Sequence, residues 1–517
     1  MSVIAASETA ASRIRADWLG SPALSLAILA LAVVQMVCGH LNGDNSWFIT
    51  FAEKVARGAS AYVEVSDPNP PMAFLLYTPA VHAARAFGIG AETATIASVF
   101  LLTGLSLWAS WRILLAAGAI RAEERGVFGN AALFMLLVAP AFGFAEREHF
   151  AVLFVLPLLA AIMARIVAQR GPSLSHVLIA GLCGGLAVCV KPHYALAVVA
   201  AAGAAAWRRR SFGVFFAPEN LIAAGAFGAY LVAIQIFYPA YFRIALPAAL
   251  DVYAPARESM THVVATAPFL FVVAIAAAVA GGLRKLAFDA RAAVLLAAAL
   301  GFLATFVIQA KGWFNHAYPA VALVALAAVA LWSGARAQFG EAAARFGRLV
   351  ALPALACSPF MGAPQMNLPG AEEYPGLTQA VQSVAPARPK IAALAEQLDI
   401  GHPLTRRLNG EWVGRQNALW ISNCVRQILA TQKLDAPAKS RFEAWGAHDR
   451  AEFAEDIRAG QPDVLLAETT KLREWAQKSP ELADLFAPYS LRGKVGDIEI
   501  WTRAAETPGL RKGMSER

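Results

Sequence analysis

The chain has 517 residues, of which 58% are hydrophobic and 15% charged, against about 45–50% and about 25% in ordinary globular domains. With a mean hydropathy of +0.51 and apolar runs recurring from residue 22 to about residue 361, this composition excludes a soluble enzyme, a secreted module and a fibrous chain, and specifies a polytopic membrane protein. The net charge of +8 arises with arginine clusters in short loops between apolar runs, which is a topology signal and not a nucleic-acid surface.

The first apolar run, 22–38, follows Arg13 and Arg15 and has no small-residue cleavage site, so it reads as an uncleaved first span. Next comes a loop, 39–70. It opens Asn42-Gly43-Asp44-Asn45-Ser46 and continues with Trp47, Phe48, Phe51 and Val55 on one helical face, with Gly58 as a stop. That pattern predicts an interfacial amphipathic helix over about 46–57, with Asp44 at headgroup level. Helix capping is the competing reading of Asp44, because Asp, Asn and Ser all favour that position.

Residues 71–88 begin at Pro70-Pro71 and carry Pro79, His82 and Arg85, so they read as a span, a half-span or an interfacial helix. Further spans are expected at 92–117, 127–144, 149–168, 173–190, 194–207, 217–238, 262–283, 290–309, 316–333 and 347–361, about 11–13 in all. Basic loops stay cytoplasmic. Arg13/Arg15, Arg165/Arg170, Arg208 to Arg210, Arg284/Lys285 and Arg336/Arg345/Arg348 therefore mark one side. Loops 39–70, 145–148, 191–193, 239–261 and 311–315 and the chain after about 362 fall on the other. Keeping 39–70 and 145–148 on one face needs an even number of crossings between them; excluding 71–88 supplies it and leaves Arg121 and Arg125 cytoplasmic.

From about 366 to 517 the composition becomes polar and no span follows. Pro462-Asp463-Val464-Leu465-Leu466 reads as a buried strand, and Ile498 and Ile500, alternating with Asp497 and Glu499, as a half-exposed one. Phe442, Trp445, Phe453 and Ile457 lie at helical spacing between them. A small α/β domain follows, behind a multispan domain over 1–365. Of five cysteines (Cys38, Cys183, Cys189, Cys357, Cys424) only Cys424 lies in this tail, which excludes a disulfide within it, and none shows metal-ligand spacing.

Transporters carry ionisable residues near mid-span. Here they gather at the outer ends: Asp44, Glu146-Arg147-Glu148-His149, Lys191-Pro192-His193-Tyr194 and Lys311-Gly312-Trp313-Phe314-Asn315-His316. The bland readings are a self-paired solvated loop for 146–149 and snorkelling anchors for Lys191, His193, Lys311 and His316. The functional reading is a site at the outer membrane boundary, where carboxylates handle a proton and cations hold an anionic headgroup.

In order, sidedness and spacing these residues resemble the polytopic GT-C glycosyltransferases, the superfamily of protein O-mannosyltransferases and lipid A aminoarabinose transferases. The resemblance rests on Asp44 after the first span, the helix to about 57, Gly58-Ala59-Ser60-Ala61-Tyr62, the pair Pro70-Pro71, and a second acidic element at Glu146 or Glu148. It covers nearly the whole chain, with an α-helical multispan core and a small C-terminal α/β extracytoplasmic domain. One departure is Asn69, where the family often has a lysine that contacts the donor phosphate.

The resemblance implies an inverting glycosyltransferase of the cytoplasmic (inner) membrane with its C-terminal domain in the periplasm. The implied donor is a polyprenyl-phosphate-linked sugar, and the acceptor a glycan, lipid or protein; membrane lipids are partners and nucleic acid is not. The implied catalytic set is Asp44 with Glu146 or Glu148, and the implied substrate-binding set is Arg147, Lys191, His193, Lys311, His316 and Tyr62. Some relatives use a divalent cation, though no ligand cluster in this sequence demands one. Two alternatives remain: an O-antigen polymerase or ligase, to which Arg243 and Arg257 in 239–261 and the adjoining His262 speak, and a lipid or sugar transporter.

Overall fold

The computed structural model describes residues 18–168, 171–362 and 373–503. Arg13, Arg15 and Arg170, and the domain boundary expected at 366, lie outside the described residues. Every apolar run expected to cross the membrane is helical, since a bilayer gives backbone N–H and C=O groups no partner except each other. The helices are Pro22–Cys38, Ala91–Ala116, Ala122–Leu137, Arg147–Val167, Leu174–Val190, Ala195–Arg209, Pro218–Phe237, Ala267–Lys285, Ala290–Gln309 and Phe314–Phe346, the last being two helices that meet at a break at Gly340 (φ +37°, ψ −110°), the second of which continues to Met361.

Six of these, starting at Ala91, Arg147, Pro218, Ala267, Ala290 and Phe314, are both long and apolar enough to cross a membrane, or seven if Pro22–Cys38 and Gly43–Ala56, bent by 73°, are one broken span. Four other apolar helices have 15 to 17 residues, short of the roughly 20 that a straight crossing takes. Counting apolar runs therefore gives a higher number than counting full-length helices. Residues 71–88 form two short helices, Met72–Leu75 and Thr78–Phe87; ten residues rise only about 15 Å, so neither is a crossing.

The core lies along Phe314–Phe346, where residues 315–333 are all buried. Helices Ala290–Gln309 and Ala195–Arg209 approach to backbone contact, because a Cβ on Gly301 would stand 2.4 Å from Ala197 Cα. At one end of the bundle sits a buried charge network. Arg291, 3% exposed, reaches Glu124 and Asp289 at 2.6 Å each, and Arg121 meets Glu124 at 2.6 Å.

The helix after the first span runs Gly43–Ala56 and ends before Gly58, whose φ of +105° needs glycine. It is not the interfacial helix its pattern suggested. Trp47, Phe48 and Phe51 are at most 1% exposed, and Phe51 stacks on Phe74 at 4.5 Å while Phe48 stacks on Tyr77. Amphipathicity shows that one face is covered; here protein and not lipid covers it.

The chain divides into two compact units, Met1–Tyr62 with Pro68–Ala371, and Val63–Asp67 with Glu372–Arg517. The second takes a piece of the first loop, fixed where Ser66 N–H donates to the Arg415 carbonyl at 2.7 Å. Its strands are β1 Lys390–Leu394, β2 Glu411–Trp412, β3 Val464–Ala467, β4 Tyr489–Val495 and β5 Ile498–Arg503, in the order β2-β1-β3-β5-β4. β2, β1 and β3 are parallel; β5 and β4 are antiparallel. The expected buried strand is the central β3. The expected half-exposed strand, β5, is buried on both faces: Glu499 is 1% exposed, bonded by Thr470, Arg473, Lys494 and Trp501. Phe442, Phe453 and Ile457 lie on one long helix, Ala436–Gly460.

Candidate active site

Helix Gly43–Ala56 is capped by Asn42, whose Oδ1 accepts from Asn45 N–H at 3.0 Å. Asp44 is therefore not the cap, and its carboxylate is available for other work. It meets Arg147 at 2.7 Å, with the Asp44 side chain 24% exposed and that of Arg147 only 6%. Arg147 also lies over the Phe48 ring, 4.7 Å from its centroid, a contact that strengthens when desolvated.

The turn that presents Glu146 and Arg147 is held in a conformation alanine rarely adopts. Ala145 has φ +64°, which costs about 1–3 kcal/mol. Two contacts hold it: Ala145 N–H donates to His149 Nδ1 at 3.1 Å, and its carbonyl accepts from the Tyr77 hydroxyl at 2.8 Å. His149 Nε2 lies 2.8 Å from the Leu136 carbonyl. Since Nδ1 accepts and Nε2 donates, the imidazole is neutral. His149 is thus a rivet in the turn and not a cation of the site.

Glu146 is the N-cap of helix Arg147–Val167. Asn42 Nδ2 and Asn315 Nδ2 donate to its two oxygens, the latter at 2.6 Å, so it ties together three helix starts. Glu148, 1% exposed, pairs with Lys191 at 2.5 Å. The ammonium also lies 3.2 Å from His316 Nε2 and 3.5 Å from Gln309 Oε1. His316 Nδ1 is buried with no hydrogen-bond partner among the described residues, which leaves a donor for another molecule's oxygen.

Of the residues expected from sequence, Asp44, Glu146, Arg147, Glu148, Lys191 and His316 come together. His193 lies two residues beyond Lys191 in the chain, with its ring 5.1 Å from that of Tyr194. Lys311 is engaged elsewhere: its Nζ donates to the carbonyls of Tyr253, at 2.8 Å, and Ala256, and stands over the Tyr253 ring. Tyr62 donates to the Asn69 carbonyl at 2.8 Å and packs against Tyr241, and its φ is +67°. Sequence reasoning gave no role to Asn42, Asn315 and Gln309; the only signal was an amide beside an apolar run. Among the described residues no three His, Cys, Asp or Glu groups converge as metal ligands, and the carboxylates are turned to N–H donors.

The cluster occupies one end of the bundle, where the N-termini of Gly43–Ala56, Arg147–Val167 and Phe314–Phe346 meet the chain just beyond the C-terminus of Leu174–Val190. Helix N-termini favour anions. No family model matches the chain, and neither does any curated protein. Solved structures do match. The crystal structure of ArnT from Cupriavidus metallidurans bound to undecaprenyl phosphate aligns over 94% of this chain and 98% of its own, with a TM-score of 0.51 and 15% identity. The apo form of the same protein aligns over 94% and 99%, with a TM-score of 0.52 and 14% identity. The expected likeness to the GT-C transferases therefore holds at the level of architecture, and the chain has the fold of ArnT.

Proposed function

We propose that this protein is a membrane glycosyltransferase that moves a sugar from a polyprenyl-phosphate donor to an acceptor hydroxyl at the outer face of the membrane. The observation that carries the proposal is the Asp44–Arg147 pair: a solvent-reached carboxylate on a buried guanidinium, at a junction of helix N-termini that favours a phosphate. The fold shared with ArnT, a protein seen with undecaprenyl phosphate, supports the donor class. A transporter reading is less well supported, because the ionisable groups sit at helix ends instead of mid-span.

In the proposed reaction the acceptor oxygen attacks the anomeric carbon while Asp44 takes its proton. The bond from that carbon to the phosphate oxygen breaks as the new glycosidic bond forms, so attack from the opposite side inverts the centre. Negative charge grows on the departing lipid phosphate. Arg147 and Lys191 are the cations within the cluster that can stabilise it in a water-poor setting, and the His316 Nδ1 proton can add a hydrogen bond. Glu146 and Glu148 are positioning residues, which orient the helix starts and Lys191. Tyr62 and Lys311 hold backbone carbonyls that border the first loop and residues 253–256.

Mass spectrometry of lipids that co-purify with the detergent-extracted protein tests the donor class. A polyprenyl-phosphate sugar, consumed when an acceptor extract is added, is the expected result. Full occupancy by ordinary phospholipid, with no transfer from any polyprenyl-phosphate sugar supplied, would reject the proposal.

A further inference from the structure

The helix that carries Arg147 and Glu148 at its start carries Arg165 in its last turn, and 17 residues of α-helix separate Glu148 from Arg165 by about 26 Å. At that far end lies a cleft of about 340 Å³, lined among others by Arg165, Arg209, Ser211, Gly213, Phe216 and Pro218. Its size is within the roughly 300–1,000 Å³ of small-ligand pockets. The positive charge of the cleft is not balanced locally. Arg165 is neutralised by the fully buried Glu219, through contacts of 2.5 and 2.6 Å. Arg209 is held at the mouth by donating to the Arg165 carbonyl at 2.9 Å; among the described residues no carboxylate pairs with it, and none lines the cleft.

Phe216, which lines the cleft, is 70% exposed, and Trp207 and Phe212, close to Arg209 in the chain, are 87 and 83% exposed. Helix Pro218–Phe237, itself long and apolar enough to cross a membrane, begins at the cleft and adds the partial positive charge of its N-terminus. Exposed aromatics next to arginine, at the end of apolar helices, match the depth of lipid headgroups. Topology signalling alone accounts for the arginines, but not for a cleft whose walls present Arg209.

We propose that this cleft binds the phosphate of an anionic phospholipid headgroup, as a site separate from the Asp44 cluster and at the opposite end of the same helix. The guanidinium of Arg209 takes the phosphate, and the exposed rings flank the acyl chains. A free phosphate ester would offer the same group to Arg209, but the aromatic rim favours a lipid.

The test is native mass spectrometry of the full chain in detergent with phosphatidylglycerol, phosphatidylcholine or glycerol 3-phosphate added. The parent protein should retain phosphatidylglycerol over phosphatidylcholine, and Arg209→Gln should weaken that retention roughly tenfold, the worth of one charge-assisted hydrogen bond. Lys433→Gln, the same charge change on the exposed surface of the second unit, should leave it unchanged. Equal retention of the two lipids, or no effect of Arg209→Gln, would overturn the proposal. Arg209-dependent binding of glycerol 3-phosphate without preference for phosphatidylglycerol would overturn the lipid assignment. The readout is binding at Arg209, so it is independent of whether sugar transfer is detected.

Discussion

At the scale of single residues, Asp44 and Glu148 are acids with opposite environments, and they should fail in opposite ways. Asn42 and not Asp44 caps the helix, so Asp44→Asn should leave the fold intact while lowering transfer by about 100-fold or more, the usual loss for a general base; single-turnover rates on the purified variant would measure it. Glu148→Gln should instead reduce stability by about 3–5 kcal/mol, because it strands Lys191 as a buried unpaired charge, with a lower melting temperature in detergent as the readout. His149→Phe should also act on the fold. It removes the partners of two buried backbone groups, Ala145 N–H and Leu136 C=O, at about 1–3 kcal/mol each, and it should lower thermal stability without any change in the charge of the site.

At the scale of elements, close helix contact gives a sharp contrast. Gly301→Ala would force Ala195–Arg209 away from Ala290–Gln309, since the new methyl meets main chain at 2.4 Å, and should cost about 1–3 kcal/mol. Gly225→Ala has open space around it and should change stability by less than about 1 kcal/mol; parallel melting curves would separate the two. In the second unit, burial pushes the Asp449 carboxyl up to about 6, against the hydrogen bond it accepts from Ser422 N–H at 2.8 Å. A carboxyl raised on folding stabilises the folded form most below its unfolded value of about 3.9 and progressively less as pH climbs to about 6. Helix Trp420–Thr431, whose first turn Asp449 holds, should therefore exchange its amides more readily at pH 7 than at pH 5 once intrinsic rates are corrected, and Asp449→Asn should flatten that difference.

The apolar helices were legible because their signal is local: a run of Ala, Leu and Val needs no partner to declare itself. Burial of Trp47 and Phe48 was not, since a hydrophobic face has the same pattern whether lipid or protein covers it. Among residues of the candidate cluster, the charged ones stand out in the sequence because ionisable groups beside apolar runs are costly and so conspicuous. Asn42 and Asn315 escaped, being separated by 273 positions in sequence and joined only through Glu146. Lys311 was conspicuous for the same reason as Lys191, yet its ammonium serves backbone carbonyls; charge and position announce a buried cation but not its partner.

At the scale of the whole molecule, the distribution of Lys and Arg predicts that the second unit faces away from the cytoplasm. A reporter fused to the C-terminal end that fluoresces only in the cytoplasm should be dark, while alkaline phosphatase at the same place should be active; the reverse pattern would overturn this sidedness of the second unit. The buried network of Glu124, Asp289 and Arg291 has a consequence for how the chain is made. Glu124 leaves the ribosome 167 residues before the arginine that neutralises it in the bundle, about 10–30 s at ordinary elongation rates. Through that interval Arg121 is the partner available to it, so helix Ala122–Leu137 must wait near the membrane surface, or be shielded by an insertase, until Ala290–Gln309 arrives. Ribosome-bound chains stalled before Asp289 should then remain open to protease at this helix, and become resistant only after Arg291 has emerged.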